Sequence, residues 1–439
     1  MSKRDPQILV ADVRLAIEKI ERYLTGLNHD QFLADDLRKD AVARNLEIIG
    51  EAVRQMPEGF RQAHADVPWQ QIAGLRNRIV HDYFGLDWEI IWHVTQTELA
   101  VLKAQLPKDP LVVGSGEFRY RVAVDWPHWP DDWNMIEVVG VATDSQDRAF
   151  VLSRGEHPVT VFDREGRFLS SWGEGLFLRP HGITVAPDDT VFCTDDFGHT
   201  VRQFTTDGKL LMTLGTHGQP SDTGATSIDY RTIRHAGPPF HFPTNVALAP
   251  SGELFISDGY GNARIHKFTA EGRLLHSWGE PGTGPGQFQI PHGIAIDRQG
   301  TVYVADRENS RLQLFSPDGD FLTEWPDIAR PCEVAIDNDG RVFVAEVGYR
   351  AGMWPGTIPP HLNATGGRVS IFDSRGQLLA RWGGGDSPCA PGDFFAPHDI
   401  WFDSRGDLYV SEVVRAASGN VKPPVGDYHT LQKFERLPS

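Results

Sequence analysis

The sequence predicts a multidomain protein, an all-α helical bundle followed by an all-β six-bladed propeller. Three observations carry that expectation. Apolar residues keep helical spacing only to about residue 106, a unit of alternating strands and turns repeats six times beyond Phe118, and "LPKDPLVVGSG" breaks the pattern between them with two prolines and two glycines. The expected boundaries are a bundle over 1–107, a linker over 108–116 and a propeller over 117–439.

In the first part, Ile8, Val10, Val13, Leu15, Ile17, Ile20 and Leu24 form one helical stripe, and Ala41, Leu46, Ile49, Ala52 and Val53 form another. Further helices are expected over Trp69–His81 and from Trp88 to Leu106, with Asp87 as N-cap of the last. Four or five helices with short polar connections suggest an antiparallel bundle.

In the second part, each unit has a first apolar strand, a turn such as "PSGE", "RQGT" or "NDGR", and a second strand such as "LFISD", "VYVAD" or "VFVAE". A third strand ending in Phe, a second turn and a last strand often closing in "SWG" or "RWG" complete it. Four short strands in roughly 40 residues is the signature of a propeller blade. First strands are expected near Val141, Ile183, Val246, Ile294, Val334 and Ile400. The sixth unit has no closing strand after "TLQKFERLPS", so "EFRYRVAV", lying before the first unit, is expected to supply it and tie the ring shut. Long loops near 216–240, 348–367 and 413–428 read as walls of a functional face.

Composition limits what the molecule can do. The net charge is −17, and residues 1–110 carry 14 Lys and Arg against 17 Asp and Glu, which argues against a broad nucleic-acid surface. The start lacks a secretory apolar core and no stretch reaches the length of a membrane span, so a cytoplasmic protein is expected. Cys193, Cys332 and Cys389 are too scattered for a disulfide framework or a thiolate zinc site, so any metal must be held by histidine and oxygen.

"RPHGITV", "IPHGIAI" and "APHDIWF" place His181, His292 and His398 at the start of the first strand in units two, four and six. Aligned across the units, the position reads Val139, His181, Asn245, His292, Glu333 and His398. Histidines on alternate blades of a six-fold ring lie about 120° apart at one depth, the arrangement of a three-histidine zinc site with a position left open. Asp399 crowds that tetrahedron, and is better placed to hold a second, harder cation such as calcium with the carbonyls of Val141 and Ile183. Arg154, Tyr260 and Arg307, at the ends of second strands, suit an anionic substrate, with the tyrosine as base.

With these residues in hand, the propeller half resembles the peptidyl-α-hydroxyglycine α-amidating lyase family (peptidylamidoglycolate lyases), NHL-repeat propellers of six blades. The resemblance runs through "GVATDSQDRAFVLSRGEH", "RPHGITV", "ISDGYGNARIHKF", "IPHGIAIDRQGTVYVADRENSRLQLF" and "APHDI", from about Glu117 to the C-terminus. It implies zinc on His181, His292 and His398, calcium on Asp399 with Val141 and Ile183, and active-site roles for Arg154, Tyr260 and Arg307. The implied reaction is collapse of a peptide or small-molecule α-hydroxyglycine substrate to an amide and glyoxylate. Ala396 stands where animal members have Met, and Gly261 replaces the cysteine that follows the active-site tyrosine, so their disulfide there is absent.

The helical half resembles the HepT-like toxins of the HEPN superfamily through "GLRNRIVHDYFGLDWEIIW", with Arg76, Asn77, His81 and Tyr83 in the R-x4-H-x-Y pattern. That resemblance implies a homodimer, an RNA-cleaving cleft and a nucleotidyltransferase antitoxin that modifies the tyrosine, as in a toxin–antitoxin pair. Alternatives stay open at this stage: a binding-scaffold propeller beside a toxin-type ribonuclease, or a zinc ring serving another small-molecule lyase or hydrolase.

Overall fold

A computed structural model describes residues 6–65, 67–81, 86–106, 111–131, 133, 137–349, 353, 365–385, 388–418 and 429–438. The chain folds as two compact units, Met1–Pro110 and Leu111–Ser439. Among the described residues, all the β-structure lies in the second.

The first unit is helical, with longer helices over Pro6–Leu24, Asp36–Gln55 and Trp69–His81, and a helical run from Trp88 to Gln105 that passes through a π turn at Val94–Glu98. The helix starts follow from capping chemistry. Asn28 and Gln31 form a reciprocal capping box, Asp35 accepts the Arg38 N–H, and Asp87 accepts from Glu89 and Ile90, which fixes the start expected at Trp88. The stripe of Val10, Val13, Ile17 and Ile20 is buried against Leu46, Ile49 and Val53, so each helix spends its apolar face on the other. Among the described residues no helix is long and apolar enough to cross a membrane.

The second unit is a ring of six antiparallel sheets. Inner strands run Val138–Thr143, Pro180–Val185, Pro243–Leu248, Pro291–Ile296, Pro331–Ile336 and Pro397–Phe402, and each contains the residue expected to start its unit. Burial falls from inner to outer strand. Inner strands are nearly continuous buried runs, which selects Val and Ile, whereas outer strands such as Phe168–Trp172 and Leu274–Trp278 are exposed over their first three residues and buried only at the final tryptophan.

Blade six closes the ring as the sequence requires. Its sheet is built from Pro397–Phe402, Leu408–Glu412 and Leu431–Arg436, completed by Phe118–Ala123 from the other end of the unit, with Tyr120 opposite Arg436. Val112–Ser115 adds a fifth strand outside it.

The repeated tryptophan and the repeated glycine are two sides of one contact between blades. A Cβ on Gly208 would lie 2.7 Å from the Trp172 ring, and one on Gly319 would lie 2.8 Å from the Trp278 ring. Both glycines also have φ near +90°, at +85° and +90°, so the turn and the close approach demand the same residue. The closing "SWG" of one blade therefore packs on the second turn of the next.

Candidate metal centre

His181, His292 and His398 stand on the inner strands of blades two, four and six, one residue past the proline that starts each strand. In every blade the pairing of inner strand with second strand slips by one residue just after that proline or valine. Such an irregularity re-aims a side chain without breaking the sheet. Here the three imidazoles converge, with ring centroids 4.7, 4.8 and 4.9 Å apart and one ligand nitrogen from each within 4.8 Å of the others.

The alternate blades orient these rings. His181 Nδ1 lies 2.8 Å from the Thr244 carbonyl, His292 Nδ1 2.8 Å from that of Cys332, and His398 Nδ1 2.8 Å from that of Val139. A carbonyl only accepts, so Nδ1 carries the proton and each Nε2 presents a lone pair to the centre. Burial and nearby arginines push all three pKa values down, His398 to about 3, and repulsion from the neighbouring histidines adds to the shift of His181 and His292. The rings are therefore neutral at physiological pH, as ligands must be. Three buried imidazole nitrogens of fixed tautomer fit a zinc-type ion with an open coordination position.

This geometry corrects the expected alignment. The residues in register with the histidines are Val139, Thr244 and Cys332, and Asn245 and Glu333 lie one position further on, with Asp399. That next layer joins Gly140, Gly182, Asn245, Gly293, Glu333 and Asp399. A Cβ on Gly140 would lie 2.9 Å from Asp399 Oδ2, one on Gly182 2.8 Å from Asn245 Oδ1, and one on Gly293 2.5 Å from Glu333 Oε1. Each glycine vacates the space that a neighbouring blade's polar side chain fills. The exchange of Gly for Asp in the third Pro-His copy follows, because blade one already supplies the glycine.

Asp399 accepts the Val141 N–H at 2.9 Å and the Ile400 N–H at 2.7 Å. A strand residue's N–H and C=O share one edge, so the Val141 carbonyl also faces the channel. Glu333 accepts the N–H groups of Ile294 and Val334 and the side-chain amide of Asn245. Burial raises Asp399 to about 8, and burial together with the Asp399 charge raises Glu333 well above the carboxylate range. Asp399, Glu333, Asn245 and Ile183 border a cavity of about 380 Å³. An all-oxygen donor set of this kind suits a hard cation such as calcium.

On the other side of the histidines the structure brings Arg154, Tyr260 and Arg307 together. Tyr260 Oη lies 3.0 Å from His292 Nε2 and 3.2 Å from His181 Nε2, and accepts an N–H from Arg307 Nη1 at 3.1 Å. Burial raises the phenol's pKa, opposed by Arg307, Arg179 and Arg154. Arg154 is held by Glu137 at 3.1 Å and by the Pro180 carbonyl at 3.3 Å. All three, with His398 and Arg330, line a cavity of about 50 Å³.

Sequence reasoning missed Glu137, Glu308, Arg179 and Arg330. Glu308, adjacent to Arg307 in "DREN", had a local signal; the other three depend on contacts between distant segments. Gly261 packs under the His241 ring and Ala396 is fully buried. In the helical unit Arg76 pairs with Glu51 at 3.3 Å. The side chains of Asn77 and His81, and all of Tyr83, lie outside the described residues.

The fold and the histidine centre define a class, a six-bladed propeller with three inward histidines on alternate blades. Residues 13–108 match the Ribonuclease HepT-like family and residues 288–315 match the NHL repeat. The chain thus joins a HepT-like helical unit to an NHL-repeat propeller that resembles the amidating lyases. It is 33% identical over 243 residues to "NHL repeat-containing protein 3" of Homo sapiens, covering 51% of this chain and 66% of that protein. It is 32% identical over 266 residues to "Peptidyl-alpha-hydroxyglycine alpha-amidating lyase 1" of Drosophila melanogaster (56% and 45%), and 33% identical over 244 residues to "Peptidylglycine alpha-amidating monooxygenase" of Rattus norvegicus (46% and 23%). The chain spans less than two thirds of the length of each of these relatives.

Proposed function

We propose that the propeller is a metal-dependent carbon–nitrogen lyase that converts a peptidyl- or other N-acyl-α-hydroxyglycine to an amide and glyoxylate. The observation that carries this reading is the placement of Tyr260 Oη within hydrogen-bonding distance of two ligand nitrogens and of Arg307. The similarity to proteins named amidating lyases points the same way.

A zinc ion held by His181, His292 and His398 would supply Lewis acidity that acidifies a substrate hydroxyl. Arg307 and Arg154 bind and orient the substrate carboxylate. Tyr260 takes the proton from the carbinol hydroxyl, aided by the arginines that favour its phenolate form. The oxygen's electron pair then forms the C=O bond of glyoxylate while the C–N bond breaks, and the proton passes to the departing amide nitrogen. Asp399, with the carbonyls of Val141 and Ile183, would hold a calcium ion, whose contribution would be structural rather than chemical. The helical unit serves as a homodimerising module, with a nucleotidyltransferase as its partner class, in a cytoplasmic protein.

Metal analysis together with glyoxylate release from α-hydroxyhippurate tests the reading. Zinc in stoichiometric amount with glyoxylate formed is the expected result. Zinc without glyoxylate overturns it in favour of another zinc-dependent reaction, and absence of both overturns it in favour of a binding scaffold.

A further inference from the structure

The cavity beside His398 has three arginines in its wall, and the reading above uses only two. Arg330 is 1% exposed and reaches the cavity from the segment just before the inner strand of blade five. Its Nη2 donates to Glu308 Oε1 at 2.7 Å and its Nη1 to the Gly348 carbonyl at 3.3 Å. The same Glu308 oxygen accepts the Nε–H of Arg307 at 2.9 Å. Two guanidiniums are thus locked by one carboxylate oxygen, beside the tyrosine that touches His181 and His292.

The counter-charges stand behind the arginines. Neither Glu137 nor Glu308 borders the cavity, whose described walls hold three cationic side chains and no acid, with Val347 and Val413 on the apolar side. At about 50 Å³ the space admits a headgroup of a few heavy atoms. A buried cationic wall of that size favours a small anion with oxygens set for a guanidinium fork.

We propose that Arg330 is a specificity-determining residue. It contacts a substrate carboxylate beside Arg307 and makes the cavity select molecules with a carboxylate next to the reacting carbon. The inference rests on the lyase reading for the identity of the substrate, but not for whether a carboxylate binds.

The test measures binding of hippurate, an unreactive carboxylate, and of its neutral counterpart hippuramide to the full chain with its metal. Arg330→Met is expected to weaken hippurate by about 10- to 100-fold, the usual weight of a charge-assisted hydrogen bond, and to leave hippuramide unchanged. Arg330→Lys should recover part of the loss and keeps the question answerable if the Met variant does not fold. Equal weakening of both ligands would mark a merely structural residue and overturn the proposal. Unchanged hippurate affinity in the variants, or no hippurate binding by the unaltered protein, would overturn it as well. The two readings fail separately. Arg330-dependent hippurate binding without glyoxylate release from α-hydroxyhippurate sinks the lyase and keeps the carboxylate site. Glyoxylate release with a KM indifferent to Arg330 does the reverse.

Discussion

The two layers of the channel are consecutive residues on the same six strands, and they are built by opposite means. In the histidine layer, the alternate blades contribute only main-chain carbonyls. Val139, Thr244 and Cys332 share no side-chain chemistry, and they need none, because it is their C=O that fixes each ring. In the next layer the side chains of Asn245, Glu333 and Asp399 do the contacting, and three glycines make room for them. One layer is neutral and flanked by arginines; the other gathers carboxylates over the larger cavity. A strand displaced by one residue would therefore exchange a soft-nitrogen site for a hard-oxygen site.

The largest effect expected is from His292→Ala, which breaks the first layer alone. Metal at the histidine centre and glyoxylate release should be lost together, while a cation held by the second layer stays. Metal analysis of the purified variant checks this, and retention of both zinc and activity would remove the histidines from the mechanism. Val139→Ala is the matching control for the layer, because the carbonyl that orients His398 remains.

Tyr260→Phe separates chemistry from metal binding. A fall of about 10²- to 10⁴-fold in kcat is expected for loss of a general base, with the metal content preserved. Loss of metal instead would make the tyrosine a ligand or a structural prop.

Gly293→Ala probes the second layer by space rather than charge. The new methyl group would lie 2.5 Å from the Cys332 carbonyl and 2.6 Å from Glu333 Cα, backbone atoms that cannot yield as a side-chain end can. A loss of about 1–3 kcal/mol is expected, as for other overpacked sites. Thermal unfolding measures it, and an unchanged midpoint would mean that the glycine is only a feature of the repeat.

Much of this was legible in the sequence because it repeats. Blade count, ring closure by residues before the first unit, and convergence of the three histidines all follow from period and spacing. The layer assignment did not follow, although the proline was a sufficient marker. "PTN" and "PCE" align with "PHG" on their first residue, which sets Thr244 and Cys332 against the histidines, but Asn245 and Glu333 look more like ligands and drew the alignment one step along. Arg330 and Glu137 carried no local signal. Their partners, Glu308 and Arg154, are 22 and 17 residues away in sequence, and only the pairing of strands and the packing of neighbouring blades bring them together.

In the pH dependence of the metal-free protein the two layers act in opposite directions. His398 falls from 6.5 in the unfolded chain to about 3 when folded, so between those values the unfolded state binds more protons and stability drops as the solution is acidified. Asp399 rises from 3.8 to about 8, so the folded state holds the extra proton and stability drops as pH climbs through that window. Each contributes at most about 1.4 kcal/mol per pH unit for each proton. Denaturant unfolding of Asp399→Asn between pH 5 and about 8 should therefore show less alkaline destabilisation than the unaltered chain, and an identical slope would place the titrating proton elsewhere. Calcium would remove the second trend, because a cation favours the carboxylate, whereas zinc would keep the first, because the folded histidines stay unprotonated while the unfolded ones still take up protons.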